Sequence, residues 1–305
     1  MHRIMIPVWM GMLLLSACSG KPEKNGNPAP GKGEIQGSGQ VEAIYEEADR
    51  KIAEEMLQEL APFQGEAVDL LVARAGKMFL ETPYVAHTLE RDSEVLVINL
   101  RELDCTTYAE NCLAIARTVQ GGAPSFDRFL EELQFIRYRD GELDGYPSRL
   151  HYFCDWIRNN DQKGVVEECA ASLGGAPLHK EINFMSTHPE SYSRLDQDPA
   201  LVEMISEQEA SINQRQMYYI PVEKLGELEE LLKEGDIVGI TTSMEGLAVM
   251  HVGILVRVDG RIHLMHASSA AGKVVISENT LEEYLQQRQT ATGIMVARPI
   301  SMKKP

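Results

Sequence analysis

The sequence holds neither a Cys-x-x-Cys pair nor a His-Glu-x-x-His motif, the spacings that most directly announce zinc ligation. No segment of it repeats elsewhere in the chain. Basic residues are scarce beside acidic ones, 29 Lys and Arg against 46 Asp and Glu, for a formal net charge of -17. That balance argues against nucleic acid and anionic membrane surfaces as partners. The acidic residues are scattered through helical stretches, so they do not mark a substrate. Cysteine is sparse too, five in 305 residues. No apolar run is long enough to cross a bilayer as a helix: the longest, residues 4 to 15, falls short of the about 20 residues a span needs. Core material is plentiful, with 44% hydrophobic residues, enough for one large domain or two small ones.

The short apolar run has its own meaning. His2 and Arg3 precede it and Leu15-Ser16-Ala17-Cys18 closes it, the layout of a signal peptide over residues 1 to 17. Leu-Ser-Ala-Cys is similar to the bacterial lipobox. The resemblance implies cleavage before Cys18, lipidation there, and an anchor that tethers the chain to a membrane without spanning it; an ordinary signal with a chance cysteine is the alternative. The implied location is the bacterial cell envelope, exported and lipid-anchored, facing the periplasm or as an outer-membrane lipoprotein. Residues 18 to 40, rich in Gly, Pro, Asn and Lys, are expected to be the lipidated N-terminus and a flexible linker. The folded domain is expected over 41 to 305.

Setting Cys18 aside leaves Cys105, Cys112, Cys154 and Cys169 in a compartment that permits disulfides. Cys105 and Cys112 lie two turns apart on one expected helix, about 10 Å and beyond disulfide reach. Cys154 and Cys169 are open to either reading, a bridge or two buried thiols. Val41, Ile44, Ala48, Ile52, Met56 and Leu60 recur at helical spacing and predict a helix over 41 to 61. A second, over about 66 to 80, stops at Thr82-Pro83 because the residue before proline avoids helical geometry. The β-rich "EVLVINL" then leads into "RELDCTTYAENC", where Asp104 suits an N-cap and Cys105 falls in the first turn. A thiol there feels the positive end of the helix dipole and is drawn toward the nucleophilic thiolate. The charge of Asp104 opposes this unless backbone amides absorb it.

A nucleophile needs a base, and the base needs something to orient it. The candidates lie in "MHVGILVRVDGRIHLMHASS", residues 250 to 269, where two β-rich runs flank Asp259-Gly260, the dipeptide of a type I′ hairpin. That turn pairs Val258 with Arg261, Val256 with His263 and His251 with Ser268. Side chains alternate along a strand, so His251 and His266 share one face as diagonal neighbours and His263 takes the other.

Asp104-Cys105 opening a helix, His251-Val252-Gly253-Ile254 and His266-Ala267-Ser268 on successive strands, and Thr82-Pro83-Tyr84 upstream together resemble the NlpC-type papain-like cell-wall cysteine hydrolases. The resemblance implies a papain-like core, with Cys105 as nucleophile, His251 as base, His266 as the residue orienting it, and Tyr84 reaching the site. This chain has "VAHTLE" where common members continue into a Trp-Gly-Gly type sequence, and Thr106-Thr107 where they have Ser-Gly. The subsites therefore differ from those of the γ-D-glutamyl-diamino-acid endopeptidases. "TPYVAHTLE" and "LDCTTYAENCLA", with a long insertion before the histidines, are similar to a lipoprotein branch described as N-acetylmuramoyl-L-alanine amidases. That branch implies a peptidoglycan hydrolase acting on wall or muropeptide fragments through a cysteine thioester, with neither metal nor other cofactor.

The insertion, about 121 to 216, reads as mostly helical. Within it Leu150, Phe153, Cys154 and Ile157 make a core-facing helical stripe. Arg149, Tyr152 and Trp156 share a second face, and His151 and Asp155 a third. Arg149, Tyr152, Asp155 and Trp156 are expected to form a wall that holds a sugar or a peptide stem, the alternative being a helix whose aromatics pack on other inserted segments. Beyond the hairpin, "KVVIS", "TLEEYLQQR" and "TGIMVARPI" are expected to add a strand, a short helix and a closing strand. The fold class is then α+β, a cysteine helix on a small antiparallel sheet enlarged by inserted helices. Three other functions compete: the endopeptidase of the same superfamily, a zinc site from His263, His266 and a cysteine, and a non-catalytic cell-wall-binding lipoprotein.

Overall fold

The computed structural model describes residues 35–38 and 41–302. The signal peptide, Cys18 and most of the expected linker lie outside the described residues. Strands β1 (Ile35–Ser38) and β2 (Val41–Ile44) pair antiparallel, and β2 also pairs in parallel with β3 (Leu96–Val97). Two expectations change here. Residues 35–38, expected in the linker, are a strand, and so is 41–44, expected as the first turn of a helix. Helix α1 (Glu47–Leu60) starts only after Glu46, whose N–H donates to Asp49 at 3.0 Å. Asp49 is fully buried, and its second oxygen accepts from Leu100 N and Arg101 Nε. A carboxylate so placed fixes the helix start to the segment after β3 and leaves the β-branched residues before it free to pair.

Helices α2 (Val68–Met78) and α4 (Phe126–Arg137) flank α3 (Cys105–Gln120), which also contacts α1. Every residue of α3 from Thr107 to Val119 is buried, the condition of a helix enclosed on all sides. Its two interior charges are paired: Glu110 with Arg137 at 2.7 Å, and Arg117 with Glu132 at 2.8 Å. Gly76 lets α2 settle on this helix, since a Cβ there would lie 2.5 Å from the Tyr108 hydroxyl and 2.4 Å from Met265 Cε.

The insertion contributes α5 (Phe153–Gln162), β4 (Val166–Glu168), β5 (Ala176–Leu178), α6 (Phe184–Thr187), α7 (Ser193–Gln197) and α8 (Pro199–Asn213). After it come β6 (Met217–Pro221), the short α9 (Leu225–Leu228), β7 (Ile237–Thr242), β8 (Val249–Val258), β9 (Arg261–Ser268), β10 (Lys273–Thr280), α10 (Leu281–Gln286) and β11 (Ala291–Pro299). The sheet runs β10-β9-β8-β7-β11-β6-β5, with β4 also on β11. Its pairs are antiparallel. It is thus larger than the small sheet expected, because the insertion returns two strands to it. The β8–β9 turn is as the sequence predicts: Asp259 and Gly260 have φ of 49° and 83°, and Val258 pairs with Arg261 and Val256 with His263, the positive-φ pair of a type I′ turn. Among the described residues no helix is long and apolar enough to cross a membrane.

Candidate active site

Backbone pairing brings three distant segments together. Tyr84 forms a parallel bridge with Leu103, two residues before Cys105. The Tyr84 N–H donates to Gly272 O at 2.8 Å, and Pro83 bridges Lys273, whose partner on β9 is Ser268, two residues from His266. Thr82-Pro83-Tyr84 therefore lies between the start of the cysteine helix and the β9–β10 turn. Helix α3 itself packs on β8 and β9, the strands that carry His251 and His266.

Cys105 is the first residue of α3 and keeps partial exposure. Asp104 caps it: Oδ1 accepts from Thr106 N at 3.0 Å, Thr107 N at 2.7 Å and the Thr107 hydroxyl at 2.9 Å, while Asp104 N donates to Thr107 Oγ1 at 2.9 Å. The condition that the sequence left open is thereby met, because two amides and a hydroxyl take up the carboxylate charge beside the thiol. The other three cysteines are free and buried, so Cys154 and Cys169 are not bridged. Burial pushes their thiols up, to about 12 and about 11, which keeps them as inert protonated filler.

His251 Nε2 and His266 Nδ1 are 2.6 Å apart, with ring planes at 88°. Burial, and then the positive charge of Arg288, push His251 down to about 4. Burial, His251 and Arg288 push His266 down to about 2. Both rings are therefore neutral at neutral pH. One must donate the shared proton, and a His266 that stays neutral serves as a lasting acceptor for His251 Nε2–H, which leaves Nδ1 as the basic edge of His251. His263 lies on the other face, its Nδ1 against Ser277 O at 2.9 Å, so it does not join His266 as the zinc alternative requires. Among the described residues no group of three His, Cys, Asp or Glu side chains is placed to hold a metal ion.

Two residues that sequence reasoning missed complete the cluster. The Tyr284 ring meets His266 edge-on at 5.4 Å, and the Arg288 guanidinium lies 3.3 Å from the Tyr284 ring centroid. Burial raises the Tyr284 hydroxyl, Arg288 opposes that rise and Cys105 adds to it. The only signal in the sequence was Tyr-x-x-x-Arg in a short predicted helix, a spacing that places the two on one side.

The expected substrate wall is not where its residues lie. Trp156 has no exposed surface and stacks on Phe153 at 5.0 Å. Tyr152 donates to Glu209 at 2.6 Å and accepts from Met185 N at 2.8 Å. Asp155 joins Arg139 and Arg215, each at 2.7 Å. Arg149 is buried against Glu90 at 2.9 Å and Glu94 at 3.4 Å. These four side chains tie the insertion to itself and to the segment after Tyr84. The correction has a simple cause: polar and aromatic residues on a helix look the same in sequence whether they meet a ligand or protein partners, some of which lie as far as 60 positions away.

The chain is similar to several proteins of known structure. A Bacteroides uniformis N-acetylmuramoyl-L-alanine amidase is 39% identical, with a TM-score of 0.74 over 76% of this chain and 99% of that one. A Bacteroides fragilis protein named a xylanase is 42% identical, with a TM-score of 0.71 over 74% of this chain and 99% of that one. A Legionella pneumophila protein at 20% identity, TM-score 0.61, over 85% of this chain and 95% of that one, shares the fold. No functionally curated protein matches. The AmiA-like family model, described as N-acetylmuramoyl-L-alanine amidase-like, matches residues 74–294, from α2 to β11 with Cys105, His251, His266, Tyr284 and Arg288 inside the match, and the chain belongs to that family.

Proposed function

We propose that the protein is a papain-like, NlpC-type cysteine amidase that cuts the bond between N-acetylmuramic acid and L-alanine in peptidoglycan fragments. The observation that carries this reading is the pair of neutral histidines in contact at 2.6 Å on the strands against which the Cys105 helix packs. His251 Nδ1 takes the Cys105 proton, and the sulfur attacks the lactyl carbonyl carbon. The resulting oxyanion is held by the Cys105 backbone N–H at the helix start and by the Tyr84 hydroxyl. As the C–N bond breaks, His251 returns its proton to the departing L-alanine amine. A water molecule, deprotonated in turn by His251, then hydrolyses the thioester and restores the thiol. His266 keeps the tautomer and plane of His251 through each transfer.

The xylanase name of one relative suggests sugar cleavage instead. Glycoside hydrolysis uses a pair of carboxylates flanking the bond, whereas the side chains converging here are a thiol, two imidazoles, a phenol and a guanidinium, with Asp104 occupied by its capping bonds. An anchor on Cys18 and a place in the cell envelope complete the proposal; cells labelled with radioactive palmitate are expected to mark the wild-type protein and not Cys18→Ala, and equal labelling of both would remove the anchor.

The purified protein and its Cys105→Ala variant, incubated with N-acetylmuramoyl tripeptide, separate the outcomes by mass spectrometry. Intact tripeptide released by the wild type alone is expected. Cleavage after D-glutamate would move the protein to the endopeptidases, and activity surviving in Cys105→Ala would remove the thiol from the mechanism.

The pH profile follows from the same geometry. The base must be neutral to act, and His251 is lowered to about 4. Its working form therefore persists as pH falls well below the ordinary histidine value. We expect kcat/KM to hold from neutrality to about pH 5 and to fall about tenfold per unit below about pH 4; an acid limb near pH 6.5 would mean that the resting enzyme holds a charged imidazole.

A further inference from the structure

Helix α10 ends beside the histidine pair, and its first turn is fixed by a capping box. Thr280 caps it: its N–H and its hydroxyl donate to Glu283 at 3.0 and 2.9 Å. Leu281 and Leu285 are buried beneath it. With the helix fixed, Tyr284 is presented toward β9, where its ring stands at 73° to His266. Arg288, one turn later, lies over the Tyr284 ring and donates through Nη1 to Tyr284 O at 2.7 Å. The order in space is Arg288, Tyr284, His266, His251, an unbroken series of ring contacts ending at the proposed base.

We propose that Arg288 is a positioning residue of the amidase site: by holding the Tyr284 ring against His266 it fixes the plane of that imidazole, and through it the direction in which His251 presents its basic edge to Cys105. The inference rests on the cysteine mechanism proposed above. An edge-on aromatic contact is strongly orientation-dependent, and a guanidinium stacked on a ring by an attraction of its own holds that ring without closing the site. His266 has one hydrogen bond to His251 through Nδ1, which fixes a direction in its plane but not the plane itself. The second restraint has to come from a face or an edge, and Tyr284 occupies that position. The arginine also contributes a fixed positive charge. The charged and titratable groups around the pair are His251 of β8, His266 of β9, Cys105 of α3, and Tyr284 and Arg288 at the end of α10. Of these, Arg288 is the permanent cation, and it disfavours a second positive charge on either imidazole.

The test uses the intact protein with N-acetylmuramoyl tripeptide and the variants Arg288→Gln, Arg288→Lys and Tyr284→Phe, with Cys105→Ala alongside. Loss of the ring clamp is expected to lower kcat roughly ten- to a hundredfold in Arg288→Gln with KM within about twofold. The acid limb of its pH profile should move upward, because the cation beside the pair is gone. Arg288→Lys keeps the charge but loses the flat stacking surface, so its limb should stay in place while kcat falls. Tyr284→Phe keeps the ring edge and is expected to remain within about threefold of wild type. Should Arg288→Gln prove unfolded by its melting curve, the contrast between Arg288→Lys and Tyr284→Phe still decides. Wild-type kcat in both Arg288 variants, or a change confined to KM, would overturn the inference while leaving the mechanism intact if Cys105→Ala is inactive. Activity in Cys105→Ala would instead remove the mechanism beneath it.

Discussion

His251→Ala is expected to lower kcat/KM by roughly 100- to 10,000-fold, the usual contribution of a positioned general base, with little change in KM. The ring is partly exposed and sits at the end of β8 that is away from the hairpin turn, so its removal spares the packed part of the sheet. It does leave His266 Nδ1 without the 2.6 Å partner it now has, and an unsatisfied buried polar atom costs about 1–3 kcal/mol. The variant should thus melt somewhat lower while remaining folded, and steady-state kinetics below its melting range can isolate the chemical loss. His266→Ala should be the milder of the two, since His251 remains a base and loses only its restraint. A His251→Ala protein within tenfold of wild type would exclude His251 as the base. Equal losses in both single variants and in the double would show the two imidazoles acting as one unit.

The largest expected effect on stability lies beneath the site. Arg137→Met should cost about 3–5 kcal/mol, because it removes one partner of a buried ion pair and leaves the other charge alone. Arg137 bonds Glu110 of α3 at 2.7 Å and Val97 O of β3 at 2.7 Å, and both side chains are all but inaccessible. The loss has a pH signature whose sign can be worked out. Burial already raises the Glu110 carboxyl even with the arginine present, so without it the folded-state value climbs further above the unfolded one. A carboxyl that binds its proton more tightly when folded makes stability fall as pH rises through the interval between the two values. The variant should therefore stand closest to wild type near pH 5 and furthest from it near pH 8, as read from denaturant midpoints. Pairing Arg137→Met with Glu110→Leu should recover much of the loss, since well-packed apolar residues replace such a pair at little cost. A single variant within 1 kcal/mol of wild type at pH 8 would show that water or a neighbouring group already screens Glu110. Because α3 presents Cys105, activity measured in the destabilised variant should track the folded fraction rather than fall independently.

Local signals in the chain were sufficient wherever one short stretch dictates geometry by itself. Asp104 as cap, Cys105 in the first turn, the Asp259-Gly260 turn and the shared face of His251 and His266 all follow from contacts within a few residues, and the structure contains each of them. The strand, helix and strand expected after the hairpin are present as β10, α10 and β11, the last of them between β7 and β6. The segment Val41 to Ile44 fitted the helical spacing, and pairing with β1 on one side and Leu96–Val97 on the other decided for the strand. The insertion's strands were invisible because three residues carry no period; β4 and β5 exist through pairing with β11 and β6.

The catalytic candidates were thus named by sequence alone, because the thiol's environment is set by its own helix and the histidines' alignment by a two-residue turn. Which polar residues serve the site and which serve the core was decided by tertiary structure. Arg149, Tyr152, Asp155 and Trp156 were taken into the interior by partners far along the chain, and Tyr284 and Arg288 were brought to the histidines by the docking of α10 on β9 and β10. Local hydrogen bonding and strand alternation are properties of adjacent residues, whereas burial depends on what arrives from elsewhere, and no window of sequence contains that.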